Sequence, residues 1–109
     1  MKDRTFPSGS IEARIVEVLK TCYDPEIPVD VFELGLIYDI EVDENKKAVV
    51  TMTLTSPACP VAGVLPSEIE QKIRAQVEGI SDIEVKLVWD PPWSTDRMSD
   101  AAKLQLGML

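Results

Sequence analysis

The sequence contains no histidine, and this absence excludes several kinds of site at once. Ser-His-Asp and Cys-His catalysis, facial-triad iron and the usual zinc sites all depend on imidazole. Any metal chemistry must therefore use thiolate, carboxylate or backbone ligands. Cysteine is scarce too, since the chain has only Cys22 and Cys59, and a disulfide framework is not expected from this pair.

Long hydrophobic runs and clusters of positive charge are also missing. No apolar stretch approaches the roughly 20 residues that span a bilayer, and the first residues lack the apolar segment of a signal peptide. The net charge of -8 comes without a Lys/Arg cluster, so nucleic acid and anionic membrane surfaces would be repelled. We therefore expect a cytoplasmic protein with reduced cysteines, no nucleic-acid partner and no membrane partner.

The composition that remains is typical of one small globular domain. The 109 residues are 45% hydrophobic and 28% charged, and a chain of that size buries roughly two-thirds of its surface on folding. One hydrophobic core, without disulfides or structural metal, is therefore expected.

Apolar residues at helical spacing predict two helices. The first begins after Ser10, a favourable N-cap, and should end near Tyr23, where a proline-rich loop begins. Cys22 lies on its apolar stripe, which favours a buried, inert thiol. The second helix should end at Gly79. Its apolar stripe consists of Val61, Val64, Leu65, Ile69, Ile73 and Val77.

Three segments alternate between apolar and polar residues, which is typical of strands with one buried face. Their predicted inward residues are Tyr38, Ile40 and Val42, then Val50, Met52 and Leu54, and finally Ile83, Val85, Leu87 and Trp89. The turn-like residues 43–47 make the first two strands an antiparallel hairpin. Together the elements predict an α+β fold, a two-layer sandwich in the order α-β-β-α-β, with two helices packed on one face of a small sheet.

The predicted C-terminal tail begins at Asp90 with two prolines and ends in a short helix that Ser99 can cap. Its apolar residues are too numerous to remain in water, so we expect it to fold over the sandwich or against another subunit. Pro92 and Trp93 suit a partner-binding element, because proline limits the entropy cost and an indole is a common anchor. A structural lid over a hydrophobic edge explains them equally well.

Cys59 is the residue best placed for chemistry. It follows a strand and precedes Pro60, and proline is favoured in the first turn of a helix, so the thiol should lie at a helix N-terminus. The helix dipole and free N–H groups there favour the thiolate, which binds metal or attacks electrophiles. A buried, inert cysteine in a tight turn is the alternative.

Asp24 and Glu26 form a second group on the proline-braced loop 24–28. Such carboxylates are suited to bind metal, to tune a nearby thiol or to cap backbone N–H groups. The first two roles require that the loop meets Cys59 in the fold, and the sequence leaves that question open.

Three separated motifs resemble the SufT-like iron-sulfur cluster assembly domain family. They are Asp24-Pro25-Glu26-Ile27-Pro28-Val29, Leu34-Gly35-Leu36-Ile37-Tyr38, and Met52-Thr53-Leu54-Thr55 through Cys59-Pro60. The resemblance implies a single domain over residues 1–109, with its core at about 10–89 and the tail at 90–109. It also implies an accessory role in maturing iron-sulfur proteins, with Cys59 as the key thiolate and Asp24 and Glu26 as its acidic partners.

The same resemblance implies partners and cargo. The partners would be the iron-sulfur assembly machinery and client apoproteins, and the cargo a transient iron-sulfur cluster or iron rather than a stable cofactor. A cluster usually takes four thiolates, so Cys59 must be shared across a homodimer, with a partner protein, or with carboxylates or small thiols.

Two alternatives come from other classes of protein. A sister branch that resembles PaaD assists a multicomponent oxygenase, so an adaptor or assembly subunit is one alternative, and a purely structural protein-interaction module is another. An enzyme that used Cys59 as its nucleophile would need Asp24, Glu26 or a lysine as the base. We therefore expect no catalytic activity.

Overall fold

The computed structural model describes residues 6–7, 9–23, 29–54 and 65–107. The elements within these ranges are α1 (Ile11–Leu19), β1 (Ile37–Val42), β2 (Lys47–Met52), α2 (Leu65–Gln76), β3 (Asp82–Leu87), a 3-10 helix at Thr95–Arg97 and α3 (Asp100–Gln105). This order confirms the predicted α+β fold with a short terminal helix. The predicted helical residues that precede Leu65 lie outside the described ranges.

Helix α1 begins at the predicted position and ends earlier than predicted. The side chain of Ser10 accepts a backbone hydrogen bond in the first turn, as an N-cap residue does. The helix ends at Leu19 rather than near Tyr23. The N–H groups of Thr21 and Cys22 bond to carbonyls three residues back, which tightens the last turn and stops the helix.

The sheet has three strands in the order β1-β2-β3. β1 and β2 form the predicted antiparallel hairpin, and Lys46 in its turn has a φ of 66°. β3 pairs with β2 in parallel, with Val50 opposite Val85, so the chain between them crosses over through α2. Because α1 contacts β1, α2 contacts β3, and the helices contact each other, they cover the same face of the sheet.

The core lies between that sheet face and the two helices. Its fully buried residues include Ile15, Leu19, Ile40, Val50, Met52, Ile69 and Ile73. Burying each such side chain contributes roughly 1.5–3 kcal/mol relative to leaving it exposed, more than an exposed ion pair such as that between Arg74 and Asp82. No helix in the described part of the chain is both long enough and apolar enough to cross a membrane.

Strand β1 departs from the predicted alternation at its first residues. In the pairing with β2, Ile37 lies opposite Met52 and Asp39 lies opposite Thr51, so Tyr38 is an extra residue between them. Such a bulge inverts the alternation. Ile37 is therefore buried together with Ile40, whereas Tyr38 is only partly buried. The prediction that Tyr38 faces inward with Ile40 is wrong.

The tail folds over its own sandwich, which was one of the two expected arrangements. Met98 and Ala102 are each 1% exposed. The predicted cap of the terminal helix is confirmed, because the Ser99 hydroxyl oxygen accepts a hydrogen bond from the N–H of Ala102 at 3.1 Å. The prediction that Trp89 belongs to the last strand is wrong, since β3 ends at Leu87 and Trp89 is 42% exposed.

Candidate functional site

The predicted thiolate, Cys59, and its predicted acidic partners, Asp24 and Glu26, lie outside the residues that the structure describes. They belong to two segments, which we name the acidic segment (residues 24–28) and the cysteine segment (residues 55–64). That these side chains act together stays a prediction. The described residues on either side show where the chain enters and leaves each segment.

The two ends of the acidic segment are tied together. Tyr23, which precedes the segment, forms an isolated antiparallel bridge with Asp30, which follows it. The N–H of Val31 donates to the carbonyl of Cys22 at 2.8 Å. The residues that flank the acidic segment therefore lie side by side.

Asp30 begins the turn that follows the acidic segment. Its carboxylate accepts hydrogen bonds from the N–H groups of Phe32 and Glu33 at 3.1 and 3.0 Å. Burial raises the pKa of the Asp30 carboxyl above its ordinary value, although these N–H groups act in the opposite direction. The folded chain therefore disfavours the charged form of the Asp30 carboxyl relative to an exposed carboxyl.

Strand β2 leads into the cysteine segment through Thr53 and Leu54, which are both buried. The N–H of Thr53 donates to the carbonyl of Leu36 at 2.8 Å, so the exit of β2 lies beside the turn that follows the acidic segment. The Thr53 hydroxyl is buried and has no hydrogen-bond partner among the described residues.

A hollow of about 160 Å³ lies between the end of α1 and the start of α2. It is lined by Tyr23, which precedes the acidic segment, and by Leu65, which follows the cysteine segment. Its other lining residues are Thr21, Cys22, Glu68, Ile69 and Lys72. On one side the ammonium of Lys72 donates to the carbonyl of Thr21 at 3.1 Å. The residue before the acidic segment and the residue after the cysteine segment therefore lie at the same hollow.

Cys22 does not offer a second thiolate. Its side chain is 6% exposed, and its thiol donates to the carbonyl of Val18 at 3.4 Å. Burial raises the pKa of the Cys22 thiol above its ordinary value, with a smaller opposing effect of Lys72. The raised pKa favours the protonated thiol at neutral pH, and the predicted burial of Cys22 is confirmed.

The described residues also limit where metal could bind. Across residues 6–7, 9–23, 29–54 and 65–107, no three His, Cys, Asp or Glu side chains are grouped so as to hold a metal ion. With Cys22 buried, a thiolate ligand would have to come from Cys59. A single thiolate suits a cluster that is shared or passed on better than one that is held by this chain alone.

Trp93 and Pro92, the predicted partner-binding residues, differ in their surroundings. Trp93 is partly buried against the core, and its indole N–H donates to the carbonyl of Leu34 at 2.9 Å. Pro92 is exposed, as is Trp89. The polar edge of Trp93 is therefore used within the chain, while Pro92 and Trp89 present surface to the solvent.

Sequence reasoning missed the close approach between Gly35 and the tail. Gly35 has a φ of +83°, and a Cβ at this position would lie 2.6 Å from the carbonyl carbon of Arg97. The Arg97 guanidinium lies 4.6 Å from the centre of the Tyr38 ring, and the Tyr38 hydroxyl donates to the carbonyl of Pro91 at 2.7 Å. The available signal was a glycine between two leucines in an otherwise bulky stretch.

Residues 12–87 match a family model described as iron-sulfur cluster assembly protein. The chain belongs to this family. It is 44% identical over 98 residues to a Fe-S protein maturation auxiliary factor of Porphyromonas gingivalis, and the alignment covers 90% of this chain and 92% of that protein. It is 41% identical over 85 residues to the Fe-S protein maturation auxiliary factor SufT of Staphylococcus aureus, over 78% of this chain and 96% of that protein.

A solved structure supports the same assignment to the iron-sulfur cluster assembly protein family. The domain of unknown function DUF59 from Bacillus anthracis superimposes with a TM-score of 0.85 at 44% identity, over 91% of this chain and 93% of that one. The SufT-like resemblance of the sequence motifs is therefore confirmed. The range matched by the family model contains both the acidic segment and the cysteine segment.

Proposed function

We propose that this chain is an accessory factor in the maturation of iron-sulfur proteins, which assists the assembly or transfer of clusters to client proteins. The observation that carries the proposal is the family match over residues 12–87. Two relatives that cover most of the chain bear names that describe maturation auxiliary factors. Neither name describes a catalytic activity, in keeping with the expectation that this chain is not an enzyme.

In this proposal Cys59 supplies the thiolate. The sequence has two cysteines, and the burial and raised pKa of the Cys22 thiol make that residue unsuited to bind iron. The proline that follows Cys59 favours a helix start, where N–H groups and the helix dipole stabilise a thiolate.

We further propose that Asp24 and Glu26 act beside Cys59, by holding incoming iron or by accepting the proton of a partner's thiol. The shared hollow supports this, because Tyr23 and Leu65 both line it. Asp24 is next to Tyr23 in the sequence, and Cys59 precedes Leu65 by six residues. A chain spans at most about 3.3–3.6 Å per residue, so both groups are within roughly 20 Å of the hollow.

The cluster or iron is cargo in this proposal, and its remaining ligands come from elsewhere. Four thiolates are usual for a cluster, so Cys59 shares it across a homodimer, with a partner protein, or with carboxylates or small thiols. The partners are the assembly machinery and client apoproteins. Pro92, which is exposed, and the neighbouring Trp93 are proposed to contribute to that contact.

Anaerobic reconstitution with iron and sulfide tests the role of Cys59. Wild type, Cys59→Ser and Cys22→Ala are desalted, and visible absorption and bound iron are measured. We expect a chromophore and bound iron in wild type and in Cys22→Ala, and neither in Cys59→Ser. Equal iron in all three variants would exclude Cys59 as the ligand, and iron in none of them would favour the adaptor alternative.

The acidic partners are tested in the same assay. Asp24→Asn and Glu26→Gln remove one charge each and change little volume, and Glu44→Gln does the same in the exposed hairpin turn. We expect the iron bound to fall in the first two variants and to stay at the wild-type level in the third. Equal binding in all three would assign the two carboxylates a structural role.

A further inference from the structure

Strand β3 is at an edge of the sheet, because β2 is its only neighbour among the described strands. The N–H of Val88, just beyond β3, donates to the carbonyl of Met52 on β2 at 2.8 Å. Successive residues of a strand direct their backbone groups to opposite sides. The even-numbered residues of β3 therefore bond to β2, and Ile83, Val85 and Leu87 direct their N–H and C=O groups outward.

Side chains shield these outward groups only at the start of β3. The carboxylate of Asp82 accepts the N–H of Ile83 at 2.9 Å, and the Arg74 guanidinium donates to the carbonyl of Ile83 at 3.4 Å. Arg74 and Asp82 also pair with each other, and each side chain is roughly half exposed. Within the described part of the chain, no hydrogen bond closes the outward groups of Val85 or Leu87.

The apolar side chains of β3 are also less covered than those of its neighbours. Val85 lies opposite Val50, and Leu87 lies opposite Met52, so they share the face that packs against the helices. Val50 and Met52 are fully buried, as is Ile40 on β1, but Val85 and Leu87 are only partly buried. A further strand beside β3 would therefore remove apolar surface from water and also pair the open backbone groups.

The sequence of β3 is complementary to itself in one antiparallel register. When two copies pair with Val85 opposite Val85, each Glu84 is opposite the Lys86 of the other copy. Ile83 and Leu87 are then opposite each other on the apolar face. Sliding one copy by two residues keeps the outward groups paired but places Glu84 opposite Glu84, or Lys86 opposite Lys86. Opposite charges across a strand pair stabilise it and like charges destabilise it, so the first register is favoured.

Strand β1, at the other edge of the described sheet, lacks this property. Pairing two copies of β1 about Ile40 would place Asp39 opposite Glu41, so like charges would repel. The Asp39 carboxylate already accepts the N–H of Ile40 at 2.9 Å. The tail crosses the sheet end from β3 and holds the start of β1, because the Tyr38 hydroxyl donates to the carbonyl of Pro91. Of the two edges, β3 is therefore the one suited to a second copy.

We propose that two copies of this chain associate through β3, antiparallel and with Val85 on the two-fold axis. They form one continuous sheet of six strands, three from each copy. Such a two-fold contact is closed, so it gives a dimer and not a fibre. The exposed side chains of Arg74 and Asp82 turn aside, which lets Ile83 bond to Leu87 of the second copy.

The β3 contact is narrow, so the dimer is weak. One strand pair buries far less than the roughly 1,200–2,000 Å² of a stable interface. We expect a dissociation constant on the order of 0.1–1 mM, so the chain at micromolar concentration stays monomeric. The pairing requires no iron. A homodimer is one way in which the proposed function lets chains share a cluster, and β3 supplies a surface for it. Tests on the untreated chain therefore keep failure of the dimer distinct from failure of iron handling.

Concentration-dependent NMR of the untreated, ¹⁵N-labelled chain locates the contact. Spectra are compared between about 20 μM and about 2 mM, which brackets the expected dissociation constant. We expect the amide signals of Val85 and Leu87 to shift with concentration and the signal of Ile40 to stay constant. Constant signals throughout would overturn the proposal, and so would shifts at Ile40 with none on β3.

Two charge reversals test the register. Lys86→Glu and Glu84→Lys each place like charges opposite each other in the dimer, whereas an equimolar mixture of the two variants restores opposite charges at both positions. Lys20→Glu is the matched control for Lys86→Glu, because it makes the same change of charge at an exposed residue at the end of α1. Circular dichroism and urea unfolding verify that each variant is folded, since Glu84 also pairs with Lys47 in its own chain at 3.7 Å.

Sedimentation equilibrium measures the association of each variant. We expect the dissociation constant to rise about fivefold or more in Lys86→Glu and in Glu84→Lys, and to return to the wild-type value in their mixture and in Lys20→Glu. Net charge alone would instead weaken association in Lys86→Glu and strengthen it in Glu84→Lys, because the chain is acidic. That pattern, an equal weakening in Lys20→Glu, or no recovery on mixing would overturn the proposal.

Discussion

Gly35 is the residue at which the tail comes closest to the turn 31–35. A side chain there would meet the Arg97 backbone and would also require a left-handed conformation. We expect Gly35→Ala to lower the free energy of unfolding by about 2–5 kcal/mol, the sum of the backbone and overpacking costs. Urea unfolding measures this loss.

Gly9→Ala is the matched control for that substitution. Gly9 has nearly the same φ, +82°, but has nothing within 4 Å of the added Cβ. It should lose only the backbone cost of about 1–2 kcal/mol. Equal losses of stability in the two variants would show that the Arg97 backbone moves aside at little cost when a Cβ is added at Gly35.

Asp30 gives a dependence of stability on pH. Burial raises the pKa of its carboxyl, so the folded chain holds this proton more tightly than the unfolded chain does. The contribution of Asp30 to stability is therefore full below the unfolded pKa and is lost as the pH rises through the folded pKa. Asp30→Asn keeps an acceptor oxygen for Phe32 and Glu33 without the charge.

We expect Asp30→Asn to be more stable than wild type at neutral pH, with an advantage that shrinks as the pH falls toward the ordinary carboxyl pKa. The measurement is urea unfolding of both chains at each pH. The other carboxyl groups are common to both chains, so their effect cancels in the difference between the two free energies of unfolding. An advantage that grows as the pH falls would mean that the Asp30 charge stabilises the fold.

At the level of single elements, Met98 tests how much the tail contributes to the fold. It is 1% exposed, whereas Leu104 on α3 is 67% exposed. We expect Met98→Ala to cost about 2–5 kcal/mol of stability and Leu104→Ala less than about 0.5 kcal/mol. Thermal unfolding compares the two, and a small loss at Met98 would mean that the tail is only loosely attached.

The start of a helix was predictable where its signal lies within a few residues of that start. Ser10 and Ser99 each cap a helix, because a hydroxyl three residues before a free N–H satisfies it without help from the rest of the chain. The bulge at Tyr38 was not predictable. That side chain bonds to Pro91 and stacks with Arg97, and both are tail residues that lie far away in the sequence.

At the scale of the whole molecule, the number of thiolates limits how a cluster can be held. One Cys59 per chain cannot fill four ligand positions. We expect iron-sulfide reconstitution to convert wild type to a dimer in anaerobic sedimentation velocity, with the chromophore in the dimer boundary. Cys59→Ser should keep the sedimentation of the untreated chain. A chromophore that sediments with the monomer would favour small thiols or carboxylates as the other ligands.

The fold class followed from the sequence because helical and alternating patterns are properties of each segment alone. The docking of the tail and the parallel pairing of β3 depend on contacts between distant residues, such as Trp93 with Leu34. For the site, the pattern correctly predicted the burial of Cys22, although α1 ends at Leu19 and Cys22 lies in the turn that follows it. The meeting of Cys59 with Asp24 and Glu26 stays a prediction, because it depends on two segments that the structure does not describe.

Strand β2 joins β1 through a short turn but reaches β3 only after the crossover that contains the cysteine segment and α2. Hairpins form in about 1–10 μs, whereas a parallel pair must wait until its long connection has closed. The hairpin is therefore the early part of this fold, and one edge of β2 stays open until β3 arrives. The tail crosses the sheet end last, since it leaves from β3. The sandwich is therefore complete only after the crossover has closed, so its assembly depends on the same connection that carries the cysteine segment.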